Sequence, residues 1–522
     1  MGPGFSGQGF TGRVFTGVPP LVIMTGITAA AMYLPAAHAA IARDLPVARA
    51  FFYSGTVILL LVVMVALALS GRPRRNTPRG LLWALAGAYL LLPLVMAVPF
   101  AQAMYDTSFQ NAWFEMLSSF TTTGATLYTP GRLTPSLHLW RALAGWGGGF
   151  FIVLMAVSVL APLDLGGVEL VSNRGLGRAS LGTSQIAHVA DPTDRVLRYL
   201  VILFPAYGGG TLVLWLGLVL AGDSSFVALC HAMGTLSTSG ISPVGGLRAG
   251  HSGMLGEAMV LICMIPALSR RALPGAILID RSRPIWAEPE LRVAAAIVAL
   301  IAITVFLRRW AIAIELKSDN AVAAALHSVW GAVFTAVSFL TTTGFESRDW
   351  VAARAWSGLG TPGLLLLGLA ITGGGVGTAA GGVKLMRIYA LALHGRRELD
   401  RIVHPNAVSG GGPMLRQLRG QGAYVAWIFF MLFAITIGVA TAALALVMPN
   451  DPFEKLLILA IGALTTTGQL ADLAADKPIY YYDLGGWAKL ILGVTMVIGR
   501  LETLAVLALL VPSAWRPSSS GW

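Results

Sequence analysis

Residues 120–127 read FTTTGATL, and within them Thr121-Thr122-Thr123-Gly124 sets three hydroxyls and a glycine between long apolar runs. The pattern hydroxyl, Thr, hydroxyl, Gly returns as Ser237-Thr238-Ser239-Gly240, Thr341-Thr342-Thr343-Gly344 and Thr465-Thr466-Thr467-Gly468. Composition alone predicts about a twentieth of one such match, so copies at a period of roughly 115 residues mark a repeat architecture. Each copy is preceded by a short apolar segment: FQNAWFEMLSSF, FVALCHAMGTL, HSVWGAVFTAVSFL or DPFEKLLILAIGAL. Segments of about 11 to 14 residues are too short to cross a bilayer and suit re-entrant half-helices. Non-helical backbone at membrane depth survives only where protein or a water-filled cavity satisfies its polar groups. Four such loops therefore converge on one polar axis.

The rest of the chain agrees. Of 522 residues, 56% are hydrophobic and 11% charged, and the mean hydropathy is +0.73. This is the composition of an integral membrane protein. Apolar spans are expected near 18–37, 50–70, 80–100, 140–162, 197–221, 252–269, 293–314, 358–391, 422–448 and 485–512. The predicted fold is an all-α polytopic membrane protein: four pseudo-symmetric modules of helix, pore loop and helix around one pore, plus an N-terminal two-helix region. The expected boundaries are 1–75 for the N-terminal region and 76–190, 191–285, 286–405 (containing a broken helix) and 406–522 for the modules.

A net charge of +12 raises nucleic acid as a partner, but the basic residues alternate between loops. Arg72, Arg74, Arg75 and Arg79 follow the second span, Arg174, Arg178 and Arg195 the fourth, and Arg270, Arg271, Arg281 and Arg283 the sixth; Lys384, Arg387, Arg396, Arg397, Arg401, Arg416 and Arg419 follow the eighth. By the positive-inside rule these loops and both termini are cytoplasmic, and no nucleic-acid partner is needed. Arg13, the apolar run from Val18 and Ala37-His38-Ala39 imitate a secretory signal, but the run is as long as a span and is read as retained. Cys230 and Cys263 offer neither a disulfide framework nor metal spacing.

The tetrapeptides suit a partly dehydrated cation, which needs a ring of oxygens to replace its water shell. Glycine lets the backbone turn its carbonyls inward without filling the lumen, and each half-helix points its partial negative end toward the ion. The alternative, hydroxyls bonding back within buried helices, fits any single copy better than it fits four.

With these motifs, the sequence resembles the Trk, Ktr and HKT superfamily of potassium transporters, and most closely the Trk-type membrane subunit. The resemblance covers residues from about 80 to 516, with 18–70 resembling the additional N-terminal helices of the Trk branch. It implies a K+ filter centred on Gly124, Gly240, Gly344 and Gly468, with oxygens from Thr122, Thr123, Thr238, Ser239, Thr342, Thr343, Thr466 and Thr467. Glycine in all four loops is similar to the potassium-selective members; a serine in the first loop marks several sodium-permeable plant relatives. The resemblance further implies K+ as the transported ion without a covalent cofactor, a homodimer, a cytoplasmic nucleotide-binding (RCK-type) regulatory subunit, and placement in the lipid bilayer of a bacterial inner membrane.

Two more features carry expectations. Gly373-Gly374-Gly375-Val376-Gly377-Thr378-Ala379-Ala380-Gly381-Gly382, followed by Lys384, should break the eighth span, because each glycine costs a helix about 1 kcal/mol relative to alanine. Close helix packing by small residues is the competing account; the resemblance implies an intramembrane loop that obstructs the pore below the filter. Arg500 stands midway along the last span, where a charge must face water or a partner. The resemblance puts it in the pore beside the glycine loop, whereas pairing with buried carbonyls or an acid is the structural alternative. His231 and His327 are read as hydrogen-bonded packing residues, and Glu346 as either shaping the outer vestibule or solvated. A sodium-permeable transporter of the same fold, a broken-helix carrier for an organic solute and a membrane-embedded enzyme are the competing functions; no H-E-x-x-H or G-x-S-x-G supports the enzyme.

Overall fold

The computed structural model describes residues 18–69, 78–160, 192–269, 288–316, 321–357, 362–404, 423–475 and 477–501. All elements of regular structure among them are helical. The N-terminal region contains α1 (Pro20–Ala31), α2 (Tyr33–Ile41) and α3 (Leu45–Leu69). α1 and α2 occupy the first expected span and part at Met32, where Pro35 has no N–H to continue the ladder.

The first repeat comprises α4 (Pro78–Ala103), the half-helix α5 (Phe109–Phe120) and α6 (Pro135–Met155), and the second comprises α7 (Pro192–Leu220), α8 (Ser225–Leu236) and α9 (Gly253–Leu268). The third contains α10 (Pro289–Leu316), α11 (Ala321–Leu340), α12 (Trp350–Ser357), α13 (Pro362–Thr372) and α14 (Leu385–Val403). The fourth contains α15 (Ala423–Val447), α16 (Phe453–Leu464), the single turn α17 (Leu470–Leu473) and α18 (Gly486–Leu501). One expectation is corrected: α11 has 20 residues, longer than the segment read from the sequence, because its helix extends back to Ala321. The basic residues 72–75, 174, 178, 270–283, 416 and 419 lie outside the described residues, as do Arg13 and the end of the last expected span.

Seven helical stretches among the described residues are long and apolar enough to cross a membrane. α3 shows what solvent they expect: Leu60, Leu61, Met64 and Leu67 are more than half exposed, which only hydrocarbon tolerates over such a length. α6 differs, with most of its length buried. Its small residues permit that. A β-carbon at Gly148 would collide with the carbonyl of Phe120, the last residue of α5, and one at Gly499 on α18 with the carbonyl of Leu464, the last residue of α16. In two repeats, then, the second span presses against the end of its own half-helix, and that contact sets the height of the loop that follows.

Candidate functional site

Each half-helix ends at the first hydroxyl of its tetrapeptide, and the next residue turns left-handed. Thr122, Thr238, Thr342 and Thr466 have φ of +57°, +54°, +56° and +55°. That conformation costs a residue with a β-carbon about 1–2 kcal/mol, so four equivalent copies require a common restraint. The flanking hydroxyls supply it. Thr121, Ser237, Thr341 and Thr465 donate to the carbonyls of Leu117, Met233, Val337 and Ile461 at 2.7–2.9 Å. They also pair with Thr123, Ser239, Thr343 and Thr467, at 2.9 Å in the first three loops and 3.3 Å in the fourth.

The backbone completes the arrangement. The N–H groups of Thr123, Ser239, Thr343 and Thr467 donate back to Ser118, Gly234, Ser338 and Gly462 at 2.8–2.9 Å. Across a trans peptide the C=O points opposite to the N–H, so the carbonyls of the middle threonines turn away from their own half-helix. The middle hydroxyls of Thr122, Thr238 and Thr466 are buried without a hydrogen-bond partner; that of Thr342 accepts from the Gly381 N–H at 2.7 Å. The first hydroxyls thus bond back to their half-helices and the third pair with the first, while in three loops the middle hydroxyl is left unpartnered.

The loops meet although roughly 115 residues separate them in sequence. A β-carbon at Gly124 would collide with the carbonyl of Ser239, and one at Gly240 with that of Thr343. Gly468 donates its N–H to the Thr123 carbonyl at 2.7 Å. The structure therefore brings all twelve tetrapeptide residues singled out in the sequence into one ring.

Buried acids brace this ring, and the sequence reading did not single them out. Glu115 on α5 pairs with Arg141 on α6 at 2.6 Å and accepts from the Leu127 N–H at 2.9 Å. Glu257 on α9 accepts from Trp330, Ser347 and the Arg348 N–H at 2.7–2.9 Å. The available signal was an acid inside an apolar helix, which is costly unless it is paired and hydrogen-bonded. His231 bonds Ser242 at 2.8 Å and His327 bonds Asp349 at 3.0 Å.

Below the ring the eighth span breaks as expected. Residues 373–384 form a loop between α13 and α14, with its ends clipped by Val383 N–H to Ile371 (2.8 Å) and Lys384 N–H to Thr372 (2.9 Å). Gly373, Gly377, Gly382 and Lys384 are left-handed. The loop is tied on several sides. Gly375 N–H and the Thr378 hydroxyl reach the Ala267 carbonyl at 2.9 and 3.1 Å, and Glu290 accepts from the Val376 N–H at 2.9 Å. Arg500 donates to the Ala379 carbonyl at 2.5 Å, and Lys384 to that of Ala380. The tip touches the ring: besides its bond to Thr342, Gly381 packs so closely that a β-carbon there would collide with the Thr465 carbonyl. A small cavity beneath is lined by Ile152, Gly381, Lys384, Phe429 and Arg500. Arg500 and the glycine loop, far apart in sequence, are in contact.

A protein of Halomonas elongata described as Trk system potassium uptake protein TrkH is 30% identical over 445 residues, covering 84% of each chain. The chain belongs to the TrkH family. The TrkH family profile, described as cation transport protein, matches residues 260–516, and the Trk system potassium uptake protein TrkH of Escherichia coli (strain K12) is 28% identical over 84% of both chains. The fold is similar to the crystal structure of the potassium transporter TrkH from Vibrio parahaemolyticus, with TM-score 0.75 and 23% identity, covering 97% of this chain and 99% of that one. Membership in the TrkH family makes the chain a multi-pass membrane transport protein, and the membrane-enzyme reading falls.

Proposed function

We propose that the protein takes up K+ through the ring formed by the four tetrapeptides, with Gly373, Gly374, Gly375, Gly377, Gly381 and Gly382, together with Lys384 and Arg500, acting as the gate. The observation that carries this is the set of four left-handed threonines, whose middle carbonyls and hydroxyls are turned from their half-helices within one ring. The names of the relatives, potassium uptake proteins, supply the ion. The five regions bounded at 75, 190, 285 and 405 follow as functional units. A membrane potential of about 150 mV, inside negative, favours entry of a monovalent cation by roughly 3.5 kcal/mol, a several-hundredfold accumulation without a coupled ion. The proposal includes an inner-membrane location with cytoplasmic termini, a homodimer, and an RCK-type subunit docking on the basic region 384–419. Uptake of K+ by reconstituted vesicles, undiminished by a large excess of Na+, is the expected result. Equal uptake of both ions would favour the sodium-permeable alternative; uptake of an organic solute insensitive to changes in the four glycines would favour the carrier.

The outer mouth adds a pH dependence. Glu346 follows the third glycine and Asp472 closely follows the fourth. Burial raises the Glu346 carboxyl, against the pull of Arg248 at 3.6 Å and of Arg354. Asp472 reaches solvent, but the protein crowding it, with the charge of Glu346, pushes its carboxyl up to about 6. Its negative charge is present above that pH and lost as pH falls through it. One charge about 8 Å from an incoming cation in water is worth about 0.5 kcal/mol. Lowering external pH from about 7.5 to about 5 should therefore reduce uptake at limiting K+ about twofold, and Asp472→Asn should abolish most of that response.

A further inference from the structure

The fourth loop departs from the other three at the residue after its glycine. Ala125, Ile241 and Phe345 hold that position in the first three loops and are buried, each at most 2% exposed. The fourth loop has Gln469 there. Gly124, Gly240 and Gly344 are left-handed whereas Gly468 is not, and Gln469 already has the right-handed φ of −64° that starts α17. The changed backbone sends the side chain toward the other loops. A β-carbon at Gly240 would lie 2.5 Å from its Nε2 and one at Gly344 2.8 Å from its Cδ, while one at Gly124 would also collide with Nε2. Three filter glycines thus surround one amide. Its Nε2 donates to the Ser239 carbonyl at 3.0 Å, and its buried Oε1 has no hydrogen-bond partner.

We propose that Gln469 is a displaceable stopper of the filter, an inference that rests on the filter reading above. The amide and a dehydrated cation compete for the same space and for the same Ser239 oxygen, so the ion enters only when the side chain withdraws. One hydrogen bond and one unsatisfied acceptor hold the amide weakly, which suits a group that must leave. The stopper reduces the fraction of molecules ready to bind K+, and apparent affinity falls in proportion to that fraction. Gln469 therefore sets the K+ concentration at which uptake saturates rather than which ion is chosen.

The test is the KM and Vmax for K+ uptake, together with the K+/Na+ ratio, in vesicles containing the full chain. Gln469→Ala should lower KM about three- to tenfold, with unchanged ratio and undiminished Vmax per folded molecule. Gln469→Asn keeps the amide but shortens its reach to Ser239, so it should act in the same direction if alanine impairs folding. A raised KM or a lowered ratio in the variant that folds would make the amide oxygen an ion ligand and overturn the stopper; an unchanged KM would also overturn it. Gly124→Ser in the same assay separates the two readings: a ratio that falls there while Gln469→Ala leaves KM unchanged refutes the stopper alone. Absence of K+ uptake by the unaltered chain refutes both.

Discussion

Gly124→Ser is expected to lower the preference for K+ over Na+ about tenfold, a change of about 1.4 kcal/mol, while leaving the chain folded and inserted. The reason is steric. Gly124 has φ +71°, and a β-carbon there would collide with the Ser239 carbonyl oxygen of the neighbouring loop. That oxygen must move, and a ring that discriminates ions by the position and number of its carbonyls loses its calibration when one shifts. The left-handed backbone adds about 1–2 kcal/mol of strain for a residue with a side chain, which the four threonines show the loops can carry. Gly147→Ser is the matched control, because nothing lies within 4 Å of a β-carbon at that position on α6. The measurement is the permeability ratio in reconstituted vesicles with protein level checked separately. An unchanged ratio in a Gly124→Ser protein that still conducts would remove that glycine from the filter.

The repeat was legible because it is written four times in identical context: a short apolar segment, two hydroxyls around a threonine, and a glycine. The half-helix α5 coincides with the segment FQNAWFEMLSSF because Ser108 caps its N-terminus by accepting from the Asn111 N–H at 3.2 Å, and the tetrapeptide ends it. The broken eighth span was legible from glycine's cost in a helix. What escaped the sequence depends on contacts made only in the folded chain. No local rule separates the middle threonine from the hydroxyls beside it, since the difference arises from where each hydroxyl finds a carbonyl in the folded turn. Glu115, Glu257 and Glu290 looked like isolated acids because their partners, Arg141, Trp330 with Ser347 and Arg348, and the Val376 N–H, lie far away in sequence. Gln469 had the weakest signal, a single polar residue where the other loops have Ala, Ile and Phe.

Arg500→Ala should raise K+ flux per folded molecule about tenfold to a hundredfold. Arg500 is 3% exposed and always charged, and its Nη1 holds the Ala379 carbonyl of the glycine loop at 2.5 Å. On the proposed function, two effects oppose permeation here. At an effective dielectric of 20, two unit charges 4 Å apart repel by about 4 kcal/mol, and partial screening still leaves a barrier of about 1.4–2.8 kcal/mol, ten- to a hundredfold in rate. The arginine also anchors the loop whose tip, Gly381, rests against the Thr342 hydroxyl and the Thr465 carbonyl, so its loss favours withdrawal of that tip. The opposing cost is structural, since leaving the Ala379 carbonyl buried and unsatisfied costs about 1–3 kcal/mol; flux must therefore be divided by the amount of folded protein. Arg500→Lys retains the charge but loses the guanidinium fork, and should remain slow. Thr378→Val separates charge from tether: it cuts the loop's hydroxyl bond to the Ala267 carbonyl while keeping Arg500 and every filter oxygen, so a rise smaller than that of Arg500→Ala assigns the remainder to electrostatic repulsion. Flux per folded molecule that falls or stays constant in Arg500→Ala would place the arginine outside the ion path, as a packing residue alone.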